Sequence, residues 1–312
     1  MHSKTPSYTF IVNPISGGKS KQALLDLIPE ALPAGTSCEI LETARPGHAV
    51  ELARESGSDI VVAVGGDGTV SEVAQGLVGS GKALGILPCG SGDGLALHLG
   101  LSRRPRKALE VLARAQSVPM DYGTVDGKPF FCTAGVGLDA IVANKFAHAP
   151  KRGLGTYISK AWETWKTYRG EEMEIEVDGR TLRTRAVIVT VANAGQWGNQ
   201  ARIAPAASVK DGALDVTVVL PFRTVEIPLL ATLLMTGQAA RSRRVKCLRG
   251  KDIRIRRVRR QFNAMILQDA QHDLRIHQIL CAAKADKTCF QNSPLLKQGT
   301  VFKQTHLFTM KS

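Results

Sequence analysis

The sequence predicts an α/β protein that begins with an open, Rossmann-like sheet and continues into a β-rich second part. Two observations lead to this class. Up to about Met120, short apolar runs alternate with helical spacing, and three of these runs end in glycine turns. Beyond Met120, alternating strands are joined by hairpin signals at Asp126-Gly127 and Asp178-Gly179. We therefore expect domains at residues 1–120 and 121–283, followed by an atypical tail at 284–312.

The amino-acid composition indicates which kinds of molecule the protein can bind. The chain has 312 residues, 44% of them hydrophobic, which is enough for two cores. Its net charge of +14 indicates a polyanionic partner, which could be nucleic acid, an anionic membrane surface or nucleotide phosphates. Aromatic residues make up only 5% of the chain, so there is little material for stacking bases, and we expect no nucleic-acid partner.

Hydropathy and cysteine spacing predict a cytoplasmic protein. The longest apolar stretch, Ile227 to Met235, is too short to cross a bilayer, and the first residues do not resemble a secretory signal. We therefore expect no transmembrane segment and only peripheral membrane association. The six cysteines show no paired metal spacing, which favours reduced and mostly packed thiols.

The stretch from Asp59 to Leu77 organises the first part of the chain. An apolar run at residues 60–64 predicts a buried strand, a glycine turn follows, and helical spacing begins after the turn. Glycines let a phosphate approach backbone N–H groups, and a helix N-terminus favours negative charge. Asp67 lies in the middle of this turn. Its carboxylate either faces a divalent metal or a hydroxyl to be deprotonated, or it caps the helix.

Two further glycine turns follow predicted strands. The strand at residues 8–12 leads into Asn13-Pro14 and residues 16–18, and the strand at 83–87 leads into residues 90–94. A fourth strand, at 38–41, leads to Thr43 and Arg45. The carboxyl ends of strands in an open α/β sheet lie on one edge, where ligands bind. The three turns together therefore predict a phosphate site.

The second part holds two predicted helices, at residues 137–147 and 154–168. Trp162 and Trp165 in the second helix are either core residues or a wall facing lipid. Asp139 follows Gly137 at the start of the first helix, where it is either an N-cap or a substrate contact.

Basic residues gather in two places. Residues 103–114 predict a basic amphipathic helix whose charges face solvent. A denser run follows the apolar stretch that ends at Met235, and it forms either a solvated face or a patch facing anionic membrane headgroups. This run consists of Arg241, Arg243, Arg244, Lys246, Arg249, Lys251, Arg254, Arg256, Arg257, Arg259 and Arg260.

Over residues 8 to about 258, the chain resembles the diacylglycerol kinase catalytic family, which includes sphingosine kinases and bacterial lipid kinases. The order and spacing of several motifs carry the resemblance. They are Asn13-Pro14-x-Ser16-Gly17, Thr43 before Gly47-His48-Ala49, Gly65-Gly66-Asp67-Gly68-Thr69, Pro88-x-Gly90-Ser91-Gly92, Gly135-Val136-Gly137-x-Asp139, and Ile203-Ala204-Pro205 before Asp211-Gly212-x-Leu214-Asp215.

The resemblance implies a nucleotide-binding α/β domain, a β-sandwich-like second domain, and phosphorylation of a lipid hydroxyl by ATP with Mg²⁺ in the cleft between them. Asp67 would position the phosphate through metal or act as base, and Asp211 would hold a structural Mg²⁺. Glu72 and Asp139 would line the lipid or active site, as in the sphingosine kinase branch. The residues implied in ATP binding are Asn13, Thr43, Gly65, Gly66, Asp67, Gly68, Thr69, Gly90, Ser91 and Gly92.

Two departures from the family pattern keep alternatives open. Many members have asparagine where this chain has Asp93, an extra negative charge that a metal, Arg45 or Lys19 could offset. Bacterial members also carry a late Asp-Gly-Glu turn that is missing here, although Asp269 or Asp273 could replace it.

Three functions therefore remain: a lipid kinase acting on diacylglycerol or a sphingoid base, a catalytically impaired lipid- or nucleotide-binding protein, and an NAD kinase. The expected partners are ATP and a lipid at an anionic membrane surface, and a homodimer is possible. An altered C-terminus is a further hypothesis.

Overall fold

The first domain is built on four parallel strands whose order is β2-β1-β3-β4. The computed structural model describes residues 5–18, 21–149 and 154–258, together with the backbone of residues 300–311. Every residue of β1, β3 and β4 is buried, as the short apolar runs predict for strands covered on both faces. The strands are β1 (Tyr8–Val12), β2 (Cys38–Glu42), β3 (Ile60–Gly65) and β4 (Ala83–Pro88).

Helices cover both faces of this sheet, so the alternation of strands and helices folds as predicted. One core cluster joins the sheet to α3, α4 and α5, and a second joins the opposite face to α1, α2 and α6. The six helices are α1 (Gln22–Leu25), α2 (Ile28–Ala31), α3 (His48–Glu55), α4 (Asp67–Leu77), α5 (Gly94–His98) and α6 (Pro105–Arg114).

The strand order reverses at β1. This strand pairs with β2 on one side and with β3 on the other, both in parallel register. The crevice outside the carboxyl ends of β1 and β3 is therefore the topological switch point, where open α/β sheets bind ligands.

The second domain is sandwich-like, which confirms the predicted class. A four-stranded antiparallel sheet, ordered β14-β13-β10-β7, packs against an antiparallel layer containing β8 and β15. Alternate residues of both layers meet in one apolar core, as sheet-on-sheet packing requires. The strands are β5 (Gln116–Val125), β6 (Lys128–Phe130), β7 (Thr133–Gly137), β8 (Glu171–Val177), β9 (Arg180–Ala186), β10 (Ile188–Ala192), β11 (Gln196–Gly198), β12 (Ala201–Arg202), β13 (Leu214–Val219), β14 (Val245–Gly250) and β15 (Ile253–Arg257).

Helices α7 (Leu138–Ala147) and α8 (Leu154–Thr167) pack over the outer face of the four-stranded sheet, around Leu138, Val142 and Val187. A third helix of this domain, α9 (Ile227–Met235), buries only Leu230 fully. Among the described residues, no helix is long and apolar enough to cross a membrane.

A final strand, β16 (Thr300–Lys311), joins the two domains. Its start pairs with β15, its whole length from residue 302 pairs antiparallel with β5, and Thr309 pairs in parallel with Leu84 of β4. The sequence of this segment shows no clear strand periodicity. Its place is set by main-chain pairing with three neighbours, which a period in the sequence does not record.

The expectation that the cysteines are mostly packed needs correction. Cys38 and Cys247 are exposed rather than packed, because both lie on edge strands of their sheets, while Cys89 and Cys132 are partly buried. The other two cysteines lie outside the described residues.

Candidate active site

The three glycine turns converge at the carboxyl edge of the parallel sheet. Asn13 Nδ2, after β1, donates a hydrogen bond of 3.1 Å to Thr69 Oγ1 in the first turn of α4. The turn after β3 touches the turn after β4 so closely that a Cβ on Gly66 would lie 3.0 Å from the Gly90 Cα. A Cβ on Gly90 would lie only 2.5 Å from the Gly66 Cα, so the close approach favours glycine at both positions. The turns form one continuous surface of backbone.

Asp67 is the first residue of α4 and is buried. It does not cap its own helix. Its Oδ1 accepts a hydrogen bond of 2.6 Å from the N–H of Gly94, the first residue of α5. The alternative prediction that Asp67 caps its own helix is therefore wrong, because its carboxylate instead accepts an N–H at the start of α5.

The environment of Asp67 favours the neutral acid. Burial raises the pKa of Asp67 to about 6, and the negative charge of Asp93 adds to this shift. Hydrogen bonds from the backbone N–H groups of residues 93–95 oppose it. At neutral pH this carboxylate is ionised but is a stronger base than an ordinary aspartate. Such a group suits proton abstraction from a hydroxyl.

Asp67 opens into a small cleft between the two domains. Helices α4 and α5 supply one wall, and the chain entering β7 supplies the other. The residues that line the cleft are Asp67, Val70, Ser71, Leu95, Phe131, Cys132 and Thr133. The second domain thus contributes Thr133 to the cleft that Asp67 lines.

Asp93 is held by Arg103, whose charge was predicted to face solvent. Arg103 Nε lies 3.1 Å from Asp93 Oδ2, and Arg103 Nη2 donates to the carbonyl of Gly92 at 2.5 Å. Burial raises the pKa of Asp93, while the Gly90 N–H and Arg103 oppose that shift. The departure from the family's asparagine is therefore balanced inside the protein by Arg103.

Of the two residues expected to offset the negative charge of Asp93, one lies elsewhere and the other is outside the described residues. Arg45 forms an exposed ion pair with Glu51 at 2.6 Å, and Lys19 is outside the described residues. The signal that could have identified Arg103 is weak, since it is one of several cations in a basic segment.

Arg103 also reaches the second domain. Its guanidinium lies 3.4 Å from Asn199 Oδ1, and the N–H of Asn199 donates to the Gly92 carbonyl at 3.0 Å. The β11–β12 hairpin thereby rests on the turn that follows β4, so the geometry of this turn depends on both domains.

The remaining predicted residues of the first domain occupy different positions. The N–H of Thr43, just after β2, donates to the carbonyl of Val12 at 2.9 Å, so this residue borders the edge formed by the turns. Ser91 is exposed on its turn. Glu72 is half-buried in α4 but is not among the residues that line the cleft with Asp67.

Asp139 lies farther along the second domain and outside this cleft. It is the second residue of α7, where Thr190 Oγ1 lies 3.4 Å from its Oδ2 and the Ala140 N–H donates to its Oδ1 at 2.8 Å. Its carboxylate stands against Gly135, two residues or about 7 Å along β7 from Thr133. Burial raises the pKa of Asp139 to about 7, against these two hydrogen bonds.

The loop at Asp211 is organised by internal bonds. Asp211 Oδ2 pairs with Arg249, and Asp211 Oδ1 accepts the Ala213 N–H at 3.1 Å. The described residues contain no group of three or more His, Cys, Asp or Glu side chains arranged to hold a metal ion. One oxygen nearby, Asp215 Oδ2, is buried and has no hydrogen-bond partner among the described residues. The metal role of Asp211 remains a prediction.

Much of the basic run is neutralised within the sandwich. Of its nine described cations, five form ion pairs with acids, three of which lie on β8. The pairs are Arg244 with Glu226, Arg249 with Asp211, Arg254 with Glu176, Arg256 with Glu174, and Arg257 with Glu171. Alternating acids on β8 face alternating arginines on β15 across the strand pair, as the register requires.

Two family models match successive parts of this chain. Residues 7–125 match the model of the diacylglycerol kinase catalytic domain, and residues 132–271 match the YegS C-terminal NAD kinase beta sandwich-like domain. These two matches follow one another along the chain in the order of the two observed architectures.

Curated relatives cover the same region. The chain is 31% identical over 226 residues to "Probable lipid kinase YegS-like" of Chromohalobacter salexigens, covering 68% of this chain and 71% of that protein. It is 29% identical to the diacylglycerol kinase of Bacillus subtilis, covering 73% and 78%. It is also 31% identical to an uncharacterized protein of Synechocystis sp., of which it spans only about half, or 54%.

Among solved structures, a diacylglycerol kinase from Bacillus anthracis superimposes with a TM-score of 0.72. The superposition covers 99% of this chain and 98% of that one at 19% identity, so the likeness concerns the fold.

Proposed function

Because the chain belongs to the diacylglycerol kinase family of lipid kinases, we propose that it transfers the γ-phosphoryl group of MgATP to the hydroxyl of a membrane lipid such as diacylglycerol or a sphingoid base. The observation that carries this proposal is the position of Asp67. It is a buried carboxylate with a raised pKa, set between phosphate-shaped glycine turns and the entrance of the second domain.

The glycine turns would bind the phosphates. Backbone N–H groups at the switch point and at the start of α4 provide donors and a positive helix end. Gly66 and Gly90 leave the turns without side chains, so a phosphate can approach closely. Arg103 offsets the negative charge of Asp93 beside that site. In this proposal Mg²⁺ arrives with ATP as part of the substrate and screens the phosphate oxygens from Asp67.

The chemical step follows from this placement. The lipid hydroxyl attacks the γ-phosphorus in line, its proton passes to an oxygen of Asp67, and the bond from the γ-phosphorus to the bridging oxygen breaks to release ADP. The Gly94 N–H holds one oxygen of Asp67 and so orients the carboxylate at the cleft that the hydroxyl would enter. Most of the rate enhancement would come from positioning and charge stabilisation.

The test is transfer of labelled γ-phosphate from MgATP to mixed micelles of diacylglycerol, sphingoid bases or ceramide. Asp67→Asn should abolish most labelling while the fold persists, and Asp26→Asn, at an exposed carboxylate just after α1, is the matched control. Turnover near that of the wild type in Asp67→Asn would refute the assigned role. Unlabelled lipid with normal binding of ATP and vesicles would favour a catalytically impaired binding protein.

A second candidate, NAD kinase, has one observation in its favour, namely the description of the second domain as NAD kinase-like. NAD belongs in the same assay as a separate aqueous acceptor. Phosphorylation of NAD without labelled lipid would establish that candidate instead.

A further inference from the structure

Five large apolar side chains lie exposed on two helical segments of the second domain, and we call them the α8–α9 patch. On α8, Ile158 and Trp162 are one turn apart, so they lie on the same face. Val225, just before α9, and Leu229 and Met235 within it are all more than half exposed. Large apolar side chains that lie exposed near one another mark an interaction site.

The two parts of the α8–α9 patch are joined by packing. Trp165 stacks on Phe222 with ring centroids 4.3 Å apart, and its Nε1 lies 3.4 Å from Thr224 Oγ1. Trp162 is three residues from Trp165 on the helix, and Val225 is three residues from Phe222. The exposed side chains therefore flank one aromatic stack.

The charges at the rim of the α8–α9 patch are positive. Lys166 holds its ammonium 5.8 Å from the Trp162 ring centroid, and Arg169 and Arg223 are exposed. Within the described parts of the chain, none of these three forms an ion pair with a carboxylate. The nearby acids are engaged elsewhere, because Glu163 pairs with Lys145 and Lys160, and Glu226 pairs with Arg244.

We propose that the α8–α9 patch is the surface by which the protein docks on an anionic lipid bilayer, with the apolar side chains inserted among the acyl chains and Lys166, Arg169 and Arg223 facing headgroup phosphates. Apolar side chains with a cationic rim fit the bilayer interface, and tryptophan favours that depth. This inference rests on the proposed function for its purpose, since the same helical layer contains Asp139, a predicted substrate contact. The predicted basic run is a poorer candidate because most of its described cations are already paired.

The test is binding to sedimented vesicles of phosphatidylglycerol and phosphatidylcholine, without ATP or diacylglycerol. Substituting Trp162, Val225 and Leu229 together by Gln should weaken binding by about tenfold or more. Replacing Lys166 or Arg223 by Gln should weaken it about fivefold each, and less in high salt. The matched controls are Ile40→Gln, an exposed apolar side chain on β2, and Lys246→Gln on β14, and both should stay within about twofold of the wild type.

A second variant guards against misfolding. Trp162→Phe keeps the patch apolar, so it should bind vesicles while losing most of the tryptophan blue shift that binding produces. Retained binding by the triple Gln variant, or equal binding to pure phosphatidylcholine, would overturn the proposal. So would light scattering that shows a wild-type dimer lost in the triple variant, because a second copy would then cover the patch.

These outcomes separate the two proposals. Vesicle binding through the patch without lipid phosphorylation would leave this inference standing and refute the kinase. Phosphorylation of a dispersed short-chain lipid, with vesicle binding unchanged in the triple variant, would do the reverse.

Discussion

Replacing Asp67 by asparagine should stabilise the protein at neutral and alkaline pH while removing activity. Burial raises the pKa of this carboxyl from 3.8 to about 6. A difference of roughly 2 pKa units, at 1.36 kcal/mol each, means that the ionised side chain costs the folded state about 3 kcal/mol. Below about pH 4 the carboxyl is protonated in both states and the cost is absent.

The sign of the pH dependence follows from proton binding. Between about pH 4 and 6 the folded protein holds the proton that the unfolded chain has lost, so the free energy of unfolding falls as pH rises. Above pH 6 the cost is complete. The neutral Asn side chain escapes it, so the stability of Asp67→Asn relative to the wild type should improve by about 3 kcal/mol from pH 4 to pH 8.

Urea denaturation followed by tryptophan fluorescence at several pH values measures this difference, with Asp26→Asn as a control expected to show a much smaller change. A stability difference that does not vary with pH would refute the reasoning, as would a wild type that is the more stable protein at pH 8. Either result would mean that the Gly94 N–H and the start of α5 stabilise the carboxylate more than burial penalises it.

Three further predictions concern the neighbouring residues. Arg103→Gln should lower the free energy of unfolding by about 2 kcal/mol, because buried Asp93 loses its ion pair. Adding Asp93→Asn should restore most of the lost stability. Urea titrations in which the two substitutions lower the stability additively would contradict the pairing. Gly66→Ala should raise the KM for MgATP by about tenfold, because its Cβ meets the next turn. Gly57→Ala should leave this KM unchanged, since a Cβ there meets no atom within 4 Å. Equal KM values in the two variants would show that the turn at Gly66 tolerates a side chain. Asp139→Asn should reduce kcat/KM for a sphingoid base by about tenfold more than for diacylglycerol. The activity of the wild type on that base should rise through about pH 7 as the Asp139 carboxyl ionises. Equal losses of kcat/KM on both lipids would exclude a counter-charge role.

The sequence predicts the parallel half of the fold well because each strand there is a continuous apolar run that ends in a glycine turn. Convergence of the turns follows from topology alone, since parallel strands bring their carboxyl ends to one edge. The convergence of the turns is seen in the structure, where Asn13 bonds to Thr69 and Gly66 lies close to Gly90.

The contacts that the sequence does not predict are those between distant segments. Nothing in the spacing of a basic segment shows that Arg103 reaches back to Asp93 and across to Asn199. The acids of β8 and the arginines of β15 are separated by more than seventy residues, so their pairing appears only once the strand register is known. A charge run read in isolation therefore overestimates the charge that is available to a partner.

The position of β16 has a consequence for how the protein is made. This strand contains residues 300–311 and pairs with β4 and β5 from the first half of the chain and with β15 from the second. During synthesis the earlier segments leave the ribosome first, and the strand that joins their sheets emerges after all of them. The sheet that links the two domains can be completed only once residues 300–311 have left the ribosome, so until then the nascent chain holds unpaired strand edges that a chaperone would need to protect.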